Sequence, residues 1–471
     1  MSADDPGRPA LHVAVIGSGP AGLYTAEALI KQAAALDPPL LVAVDVIDRL
    51  PTPYGLVRYG VAPDHPSIKS IAEYLRKILE HPGVRFLGGV HLGDDITREE
   101  LLGCYDAVVY ATGAMRDRRL GIEGEDLPGS YAATDFVNWY CGHPDLDADR
   151  FVLDAESVAV IGVGNVAVDV ARILVKDPAA LASTDVSQPV LEALTASKIR
   201  EVHVIGRRGP AQAKFTTKEL RELGDLAGVD IVVPAAEADP ASFDASGEGG
   251  RLAESDRRVR GNLAVIADWA ARTPAGHGRR LTVRFWLKPV RIEGTDRVTG
   301  LTLERTRLDA DGRLTGTGEL ETIPVQMVLR SVGYQSVPLA GVPFDERTHT
   351  VPNEAGRVLG PGGAPLPREY VAGWLKRGPT GVIGTNKSDA TETVRSLLAD
   401  LAPGHAAPPG TERAALAGLL AARGLVPVGY ADWLRIEQAE AELAASLGRG
   451  ARVKLASRSA IDAACWPPPR D

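Results

Sequence analysis

An α/β protein with two parallel-sheet domains, the second inserted into the first, is what this sequence predicts, on three observations. Leu11–Ile16 is a largely apolar run followed by Gly17-Ser18-Gly19-Pro20-Ala21-Gly22 and an alanine-rich helical stretch through Lys31. Ser157–Ile161 repeats the pattern, with Gly162-Val163-Gly164-Asn165-Val166-Ala167 and a helical stretch through Lys176. Two more apolar strands, Ala107–Tyr110 and Val325–Ser331, run into the small residues Ala111-Thr112-Gly113 and Val332-Gly333-Tyr334. A continuous apolar run reads as a parallel strand covered on both faces. A strand that ends in small residues places a tight turn where backbone can approach a ligand.

In chain order, the first domain spans residues 1–116 and resumes over 333–403, and the inserted domain spans 117–332. Residues 234–262, rich in Ala, Asp, Ser and Gly, read as a loop or mobile surface segment. Beyond Pro403 the Pro/Gly/Ala composition suggests a linker, and Ala431–Leu447 reads as a charged helix in a C-terminal appendage, 404–471. No internal repeat is visible beyond the two strand–turn–helix units.

Composition excludes several classes. The 471 residues are 45% hydrophobic and 24% charged, ordinary for a globular chain of two or three domains. No uninterrupted apolar stretch is long enough to span a membrane. Met1 to Pro9 is acidic and polar, without the apolar core of a secretory signal. Cys104, Cys141 and Cys465 are odd in number and far apart. They offer neither a disulfide framework nor a dithiol pair nor a metal or cluster ligand set, and they fit a reducing cytoplasm. A net charge of −9 does not favour nucleic-acid binding. Between Arg251 and Arg284, however, stand eight arginines (251, 257, 258, 260, 272, 279, 280 and 284) against Glu254, Asp256 and Asp268. Two readings stay open there, a solvated helix face or a basic face that steers an acidic partner.

The glycine turns carry the chemistry. In a G-x-G-x-x-G turn between strand and helix, the first glycine permits the turn, the second admits backbone to the pyrophosphate, and the third packs helix on strand. The helix N-terminus supplies free N–H donors and positive potential. Gly17, Gly19 and Gly22 meet this pattern. The following strand, Leu41–Ile47, ends at Asp48, whose carboxylate can accept ribose hydroxyls. The long Gly17–Asp48 separation is explained by an extended helix and the loop Lys31–Pro39. The second turn has Gly162 and Gly164, with Ala167 as a tolerated small third residue. Its next strand, Glu201–Ile205, ends in Gly206-Arg207-Arg208 rather than in an acid. Two guanidiniums suit a 2′-phosphate, which a carboxylate would repel, so the second site prefers NADP(H). The fold is thus two Rossmann-like dinucleotide-binding domains, the NADP domain inserted in the FAD domain, and the pairing implies a hydride relay from NADPH to FAD.

Longer segments are recognisable at this point. Gly55-Leu56-Val57-Arg58-Tyr59-Gly60-Val61-Ala62-Pro63-Asp64-His65-Pro66, the run from Gly162 to Leu174, Gly206 to Pro210 with Lys218 to Glu222, and Gly373 to Gly384 occur in an order that resembles the adrenodoxin-reductase-type ferredoxin–NADP reductases. Within that family the actinobacterial NADPH–ferredoxin reductases are the nearest likeness, over about residues 10–400. The resemblance implies FAD contacts at Ala21, Asp48, Leu56, Leu92, Trp374 and Gly381, Val382 and Ile383. It implies NADP contacts at Gly162, Val163, Gly164, Asn165, Arg207, Arg208, Glu219 and again Gly381. His65 and Asp169 match a pair that the family places near the flavin–nicotinamide junction. Two positions depart from the pattern: the family usually has Glu where Asp48 stands, and Gln or Asn where Val163 stands.

His65 lies between Asp64 and Pro66, in a loop stiffened by the proline. The expectation is a hydrogen-bonded His65–Asp169 pair, direct or through water, that orients the nicotinamide and tunes proton exchange; a purely structural role is the competing reading. Trp374 either flanks the flavin or is a core tryptophan. If the acceptor is an iron–sulfur protein, electrons must leave one at a time, and with no cysteines for a cluster in this chain that cluster must be external. An acidic ferredoxin is the expected partner and Arg251–Arg284 the place to look for its docking face. Dithiol chemistry is rejected for want of a cysteine pair. An NADPH-dependent reductase of quinones or other small acceptors and a non-catalytic NADP-sensing flavoprotein remain as alternatives. Oligomeric state is not legible.

Overall fold

The computed structural model describes residues 11–401, 414–450 and 452–466. The chain forms two compact units, Met1–Arg116 with Tyr334–Asp471, and Asp117–Gly333. Each is an α/β unit around a parallel sheet, as expected from the two strand–turn–helix patterns.

In the first unit β1 (Leu11–Ile16) is central, with β2 (Val42–Asp48) and β3 (Val84–Gly88) on one side and β4 (Ala107–Tyr110) on the other. Strand Pro365–Val371 pairs parallel to β4, and the short antiparallel strands Arg357–Leu359 and Asn353–Glu354 finish that edge. Because side chains alternate along a strand, Val13 and Val15 enter one apolar core while Ala14 and Ile16 enter another. The first core is closed by α1 (Pro20–Ala34) and the helix Thr385–Asp400, through Leu23, Leu29, Val394 and Leu397. The second is closed by the helix Arg98–Cys104 through Leu101. Full burial of each such side chain contributes about 1.5–3 kcal/mol, which is why both faces of β1 read as continuously apolar.

The second unit has a six-stranded parallel sheet. Its order is Ser130–Ala132, Met327–Arg330, Ser157–Ile161, Glu201–Ile205, Arg279–Arg284 and Val229–Val232. A separate antiparallel sheet of Leu287–Glu293, Gly300–Leu308 and Leu314–Ile323, for which the sequence offered no strong signal, belongs to the same unit.

Residues 234–262 are not the loop or mobile segment expected from composition. They hold the helices Ala235–Ala238 and Glu248–Ser255 and the start of Arg257–Ala271. Asp256 caps the last of these by accepting from the N–H groups of Arg258 and Val259. The capping satisfies donors that would otherwise be orphaned. Val259, Ile266 and Trp269 bury one face of that helix. Alanine and aspartate there mark helix and cap, not disorder.

The linker expected just beyond Pro403 lies outside the described residues. After it come the helices Ala414–Ala422, Tyr430–Ser446 and Arg458–Cys465. They are built into the first unit: Leu416 and Leu420 join the core of Ala14 and Ile16, and Trp433, Ile436, Ile461 and Cys465 that of Val13 and Val15. Among the described residues no helix is long and apolar enough to cross a membrane.

Candidate functional site

The two glycine turns repeat one backbone design. In the first, Gly17 N–H donates to Ile47 O (2.7 Å) and Ala111 N–H to Ile16 O (2.8 Å). In the second, Gly162 N–H donates to Ile205 O (2.9 Å) and Ser331 N–H to Ile161 O (2.8 Å). Both leading glycines have positive φ, +112° at Gly17 and +138° at Gly162, a region that side chains disfavour. A Cβ on Gly17 would lie 2.5 Å from Ala111 O, and one on Gly162 would lie 2.1 Å from Ser331 O. Each turn is therefore pressed against the residue that follows the neighbouring strand, where the order of the parallel sheet reverses. Ligands of open α/β sheets bind at such switch points.

Neither helix that follows is capped by a side chain at Gly19 or Gly164. Their first N–H groups are left to an anion. These features fit a bound dinucleotide pyrophosphate at each turn.

The turns then diverge. Sheet register pairs Ile16 with Ile47 and Ile161 with Ile205, so the next residues, Asp48 and Gly206, are equivalent. In the first turn Asp48 Oδ2 accepts from Ser18 N (2.8 Å) and Ser18 Oγ (2.6 Å), while Oδ1 accepts from Leu50 N (2.9 Å). The carboxylate is locked at the rim with lone pairs to spare for a ribose. In the second turn Val163 stands where Ser18 does, and a Cβ on Gly206 would lie 2.8 Å from Val163 Cγ1. An apolar contact replaces the hydrogen-bonded acid, so the departure at Val163 is a packing device.

Arg207 and Arg208 follow, both exposed, and their side chains have no recorded partner among the described residues. Their backbone is held firmly. Thr306 Oγ1 donates to Arg207 O (2.8 Å) and Trp286 N–H to Arg208 O (3.2 Å). Fixed backbone with uncommitted guanidiniums suits capture of a phosphate. Thr306 and Trp286, both fully buried, are supports that the sequence did not reveal; an isolated Thr and a Trp in an apolar stretch carry no motif.

Asn165 is turned toward the protein: its Oδ1 accepts from Thr216 N (2.9 Å), while Lys214 N donates to Val163 O (2.9 Å). The turn is thereby tied to the segment that leads into the helix Thr217–Gly224. Glu219, expected as a cofactor contact, accepts from Thr216 Oγ1 (3.0 Å) at the start of that helix.

The return segment of the first unit reaches the first turn. Gly373 packs so closely on Ala21 that a Cβ there would lie 2.4 Å from the Ala21 Cβ. Trp374 is half-buried, faces Tyr334 (5.6 Å between ring centres) and donates from Nε1 to Thr380 O (3.2 Å). It is thus not a closed core residue. Gly381 and Val382 are exposed and Ile383 half-buried, at the mouth of the helix Thr385–Asp400. Leu56 opens the short helix Leu56–Tyr59 and is half-buried. Leu92 is 6% exposed and belongs to the apolar core.

His65 is buried at the start of the helix Pro66–Lys69. Asp169, on the helix Asn165–Val175, accepts from the buried Arg172 guanidinium (2.7 Å). The two residues fall in different compact units.

The Arg251–Arg284 stretch is partly spent on structure. Arg279 donates to Val175 O and Lys176 O, Arg284 pairs with Glu237 and Glu321, and Arg258 reaches Ala213 O. Arg272 pairs with Asp268. Arg251, Arg257 and Arg260 remain exposed and are not in ion pairs among the described residues.

A parallel-sheet scaffold with two dinucleotide turns, one rimmed by an acid and one by paired arginines, defines a flavin- and pyridine-nucleotide-dependent oxidoreductase. Residues 11–235 match the family described as pyridine nucleotide-disulphide oxidoreductase. The described cysteines are free and buried, with no dithiol among them. The chain is 46% identical over 455 residues to the NADPH-ferredoxin reductase FprA of Mycobacterium tuberculosis, covering 95% of this chain and 97% of that protein. It is 40% identical over 447 residues to the mitochondrial NADPH:adrenodoxin oxidoreductase of Arabidopsis thaliana, covering 92% and 91%. The solved structure of M. tuberculosis FprA in complex with NADPH superposes with a TM-score of 0.89 at 44% identity, covering 96% of this chain and 99% of that one. The chain belongs to the adrenodoxin-reductase-type ferredoxin–NADP reductase family.

Proposed function

We propose that this chain is an NADPH–ferredoxin reductase, holding FAD on the Gly17–Gly22 turn and receiving NADPH on the Gly162–Ala167 turn. A flavin held there would supply the means to take a hydride from NADPH and pass its electrons singly to an iron–sulfur protein. The observation that carries the reading is the in-register exchange of Asp48 for Gly206 followed by two uncommitted arginines. Asp48 orients a ribose without tolerating a 2′-phosphate, and Arg207 and Arg208 require one. Trp374 and Gly381, Val382 and Ile383 flank the flavin from the return segment. His65 and Asp169 are assigned to orienting the nicotinamide and to proton exchange, with Arg172 holding the Asp169 carboxylate in place.

Stopped-flow mixing with NADPH should bleach the flavin far faster than mixing with NADH, and a ferredoxin should outperform quinones as acceptor. A protein isolated colourless that FAD does not reconstitute would end the reading. Turnover with quinones but not with any ferredoxin would transfer it to a small-acceptor reductase. Unchanged flavin reduction in both H65A and D169A would remove the catalytic assignment of that pair.

The partner is proposed to be an acidic ferredoxin, docking where Arg251, Arg257 and Arg260 leave positive charge exposed. Ferredoxin reduction should then slow steeply with salt, and a salt-independent rate contradicts this face. Buried, separate thiols at Cys104, Cys141 and Cys465 suit a reducing cytoplasm.

A further inference from the structure

The segment Tyr54–Gly60 lies on the first glycine turn, yet nothing in its own sequence fixes it there. Tyr54 N–H donates to Ser18 O (3.0 Å), and a Cβ on Gly55 would lie 2.9 Å from Gly19 Cα. The helix it contains, Leu56–Tyr59, is four residues long, too short to hold its shape alone. Part of its restraint comes from nearly 400 residues further along the chain.

Arg58 is 6% exposed, and its two terminal nitrogens donate to the two carboxylate oxygens of Glu440. Glu440 lies on the helix Tyr430–Ser446 and is wholly buried. The guanidinium also lies 4.9 Å from the ring centre of Trp433, whose indole meets Tyr54 edge-on at 5.8 Å. Lys454, 2% exposed, donates from Nζ to Arg58 O (2.6 Å). It serves as a cation at the C-terminal end of the short helix. Val428 exchanges two backbone hydrogen bonds with Gly88, each 2.8 Å, and Gly88 is the register partner of Asp48. The C-terminal segment therefore touches the floor of the first site at Asp48's neighbour and grips its cover at Arg58.

A buried ion pair is a weak way to add stability, because desolvation of both charges offsets their attraction. Its two-pronged geometry does fix orientation, in a way that an apolar contact of equal volume does not. The pair thus adds a directional link between cover and C-terminal helix to the backbone bonds at Gly88 and the apolar packing of Tyr54 and Trp433.

We propose that the C-terminal segment Val428–Leu455 positions the cover of the flavin site, with Glu440, Trp433 and Lys454 acting through Arg58 and Tyr54 as positioning residues. The inference rests on the FAD reading of the first turn.

The test uses the full-length chain, stripped of flavin and titrated with FAD well below its melting temperature. Glu440→Gln should raise the Kd for FAD by about tenfold, equivalent to about 1.4 kcal/mol. It should also change the visible flavin spectrum and leave the affinity for NADP+ within twofold of wild type. Because the lone buried Arg58 could simply unfold that variant, the second arm is Arg58→Met combined with Glu440→Leu. The apolar pair should regain a wild-type melting temperature while FAD remains weakly held and its spectrum altered. If the double variant recovers melting temperature, FAD affinity and spectrum together, the pair is structural filler and the proposal is overturned. Unchanged FAD affinity and spectrum in a folded Glu440→Gln variant overturns it equally. A wild-type chain that binds no FAD would instead bring down the function on which the inference rests.

Discussion

The two glycine turns share their backbone hydrogen bonds and differ in how they are enclosed. The first is covered: Gly17, Ser18, Ala21 and Gly22 are buried, Gly55 presses on Gly19, and Gly373 presses on Ala21. The second is open: residues 162–166 are all half-buried, and a Cβ on Gly164 would meet nothing within 4 Å. The same divergence appears at the third motif position. A Cβ on Gly22 would lie 1.8 Å from Gly17 O, whereas Ala167 carries its methyl group in full burial. A covered turn suits a cofactor held through every cycle, and an open turn suits one that must leave after each. The fold supplies one device twice, and segments from elsewhere in the chain enclose only the first copy.

Exchanging the third residues is the harshest way to break that contrast. Gly22→Ala forces a methyl group into a carbonyl oxygen, and overpacking of this kind costs about 3 kcal/mol or more. The variant should come out with little flavin, read as the ratio of visible to ultraviolet absorbance, and with a lowered melting temperature. Ala167→Gly should cost the helix propensity, about 1 kcal/mol, and the burial of one methyl group, about 0.8 kcal/mol, with the KM for NADPH nearly unchanged. Equal damage from the two substitutions would mean that the turns are not differently packed.

The rims give the next largest effect. Each charge-assisted hydrogen bond to a phosphate contributes about 1.5–3 kcal/mol. Replacing both Arg207 and Arg208 by Ala should therefore lower the preference for NADPH over NADH by about a hundredfold or more, almost entirely in kcat/KM for NADPH. A sharper version copies the first rim into the second. Gly206→Asp alone would strike Val163, so the double variant V163S/G206D is needed to reproduce the Ser18–Asp48 pair. It should raise kcat/KM for NADH and depress that for NADPH, a swing of about tenfold or more. No swing would show that register equivalence does not govern the choice.

Sequence legibility followed the range of the interactions involved. Ala107–Tyr110, Ser157–Ile161 and Glu201–Ile205 appear in the structure with the bounds read from their apolar runs, because local pattern and parallel pairing demand the same residues. The acid and the paired arginines at the rims were legible for the same reason, as each ends a recognisable strand. What stayed hidden depends on distant partners. Residues 257–262 were assigned to a loop although Asp256 caps the helix they begin, since the burial of Val259 and Trp269 that holds it is tertiary. Thr306 supports the arginines from a sheet the sequence barely announced, and Trp286 from the turn that leads into it. Glu440 lies in a helix whose charged sequence does not distinguish it, and its burial against Arg58 is set by a partner 382 residues away. The arginine cluster misled in the opposite sense: Arg258, Arg279 and Arg284 contribute charge to the composition but are engaged within the fold.

The units themselves differ in how acid and base act on them, the smallest of the expected effects. In the second unit, burial lifts the Asp117 carboxyl to about 6, against the opposing donation from Thr134 N–H. In the first, hydrogen bonds from Arg423 and then Thr97 hold the exposed Glu100 carboxyl down at about 2. The signs are opposite. The folded Asp117 keeps its proton longer than the unfolded chain does, so its contribution is full below its ordinary value of 3.8 and is lost as pH rises through about 6. Glu100 contributes above its ordinary value of 4.5, and that contribution disappears as pH falls toward 2. Asp117→Asn should accordingly raise the melting midpoint at pH 7.5 by about 2–4 °C, with the gain fading below pH 4. Glu100→Gln should lower it slightly at pH 7.5, with the loss fading over the acid range. Melting curves of the two variants and the wild type between pH 3 and 8 separate the cases. A gain for Asp117→Asn that persists at pH 3 would mean that the carboxyl's charge is not what the second unit tolerates poorly.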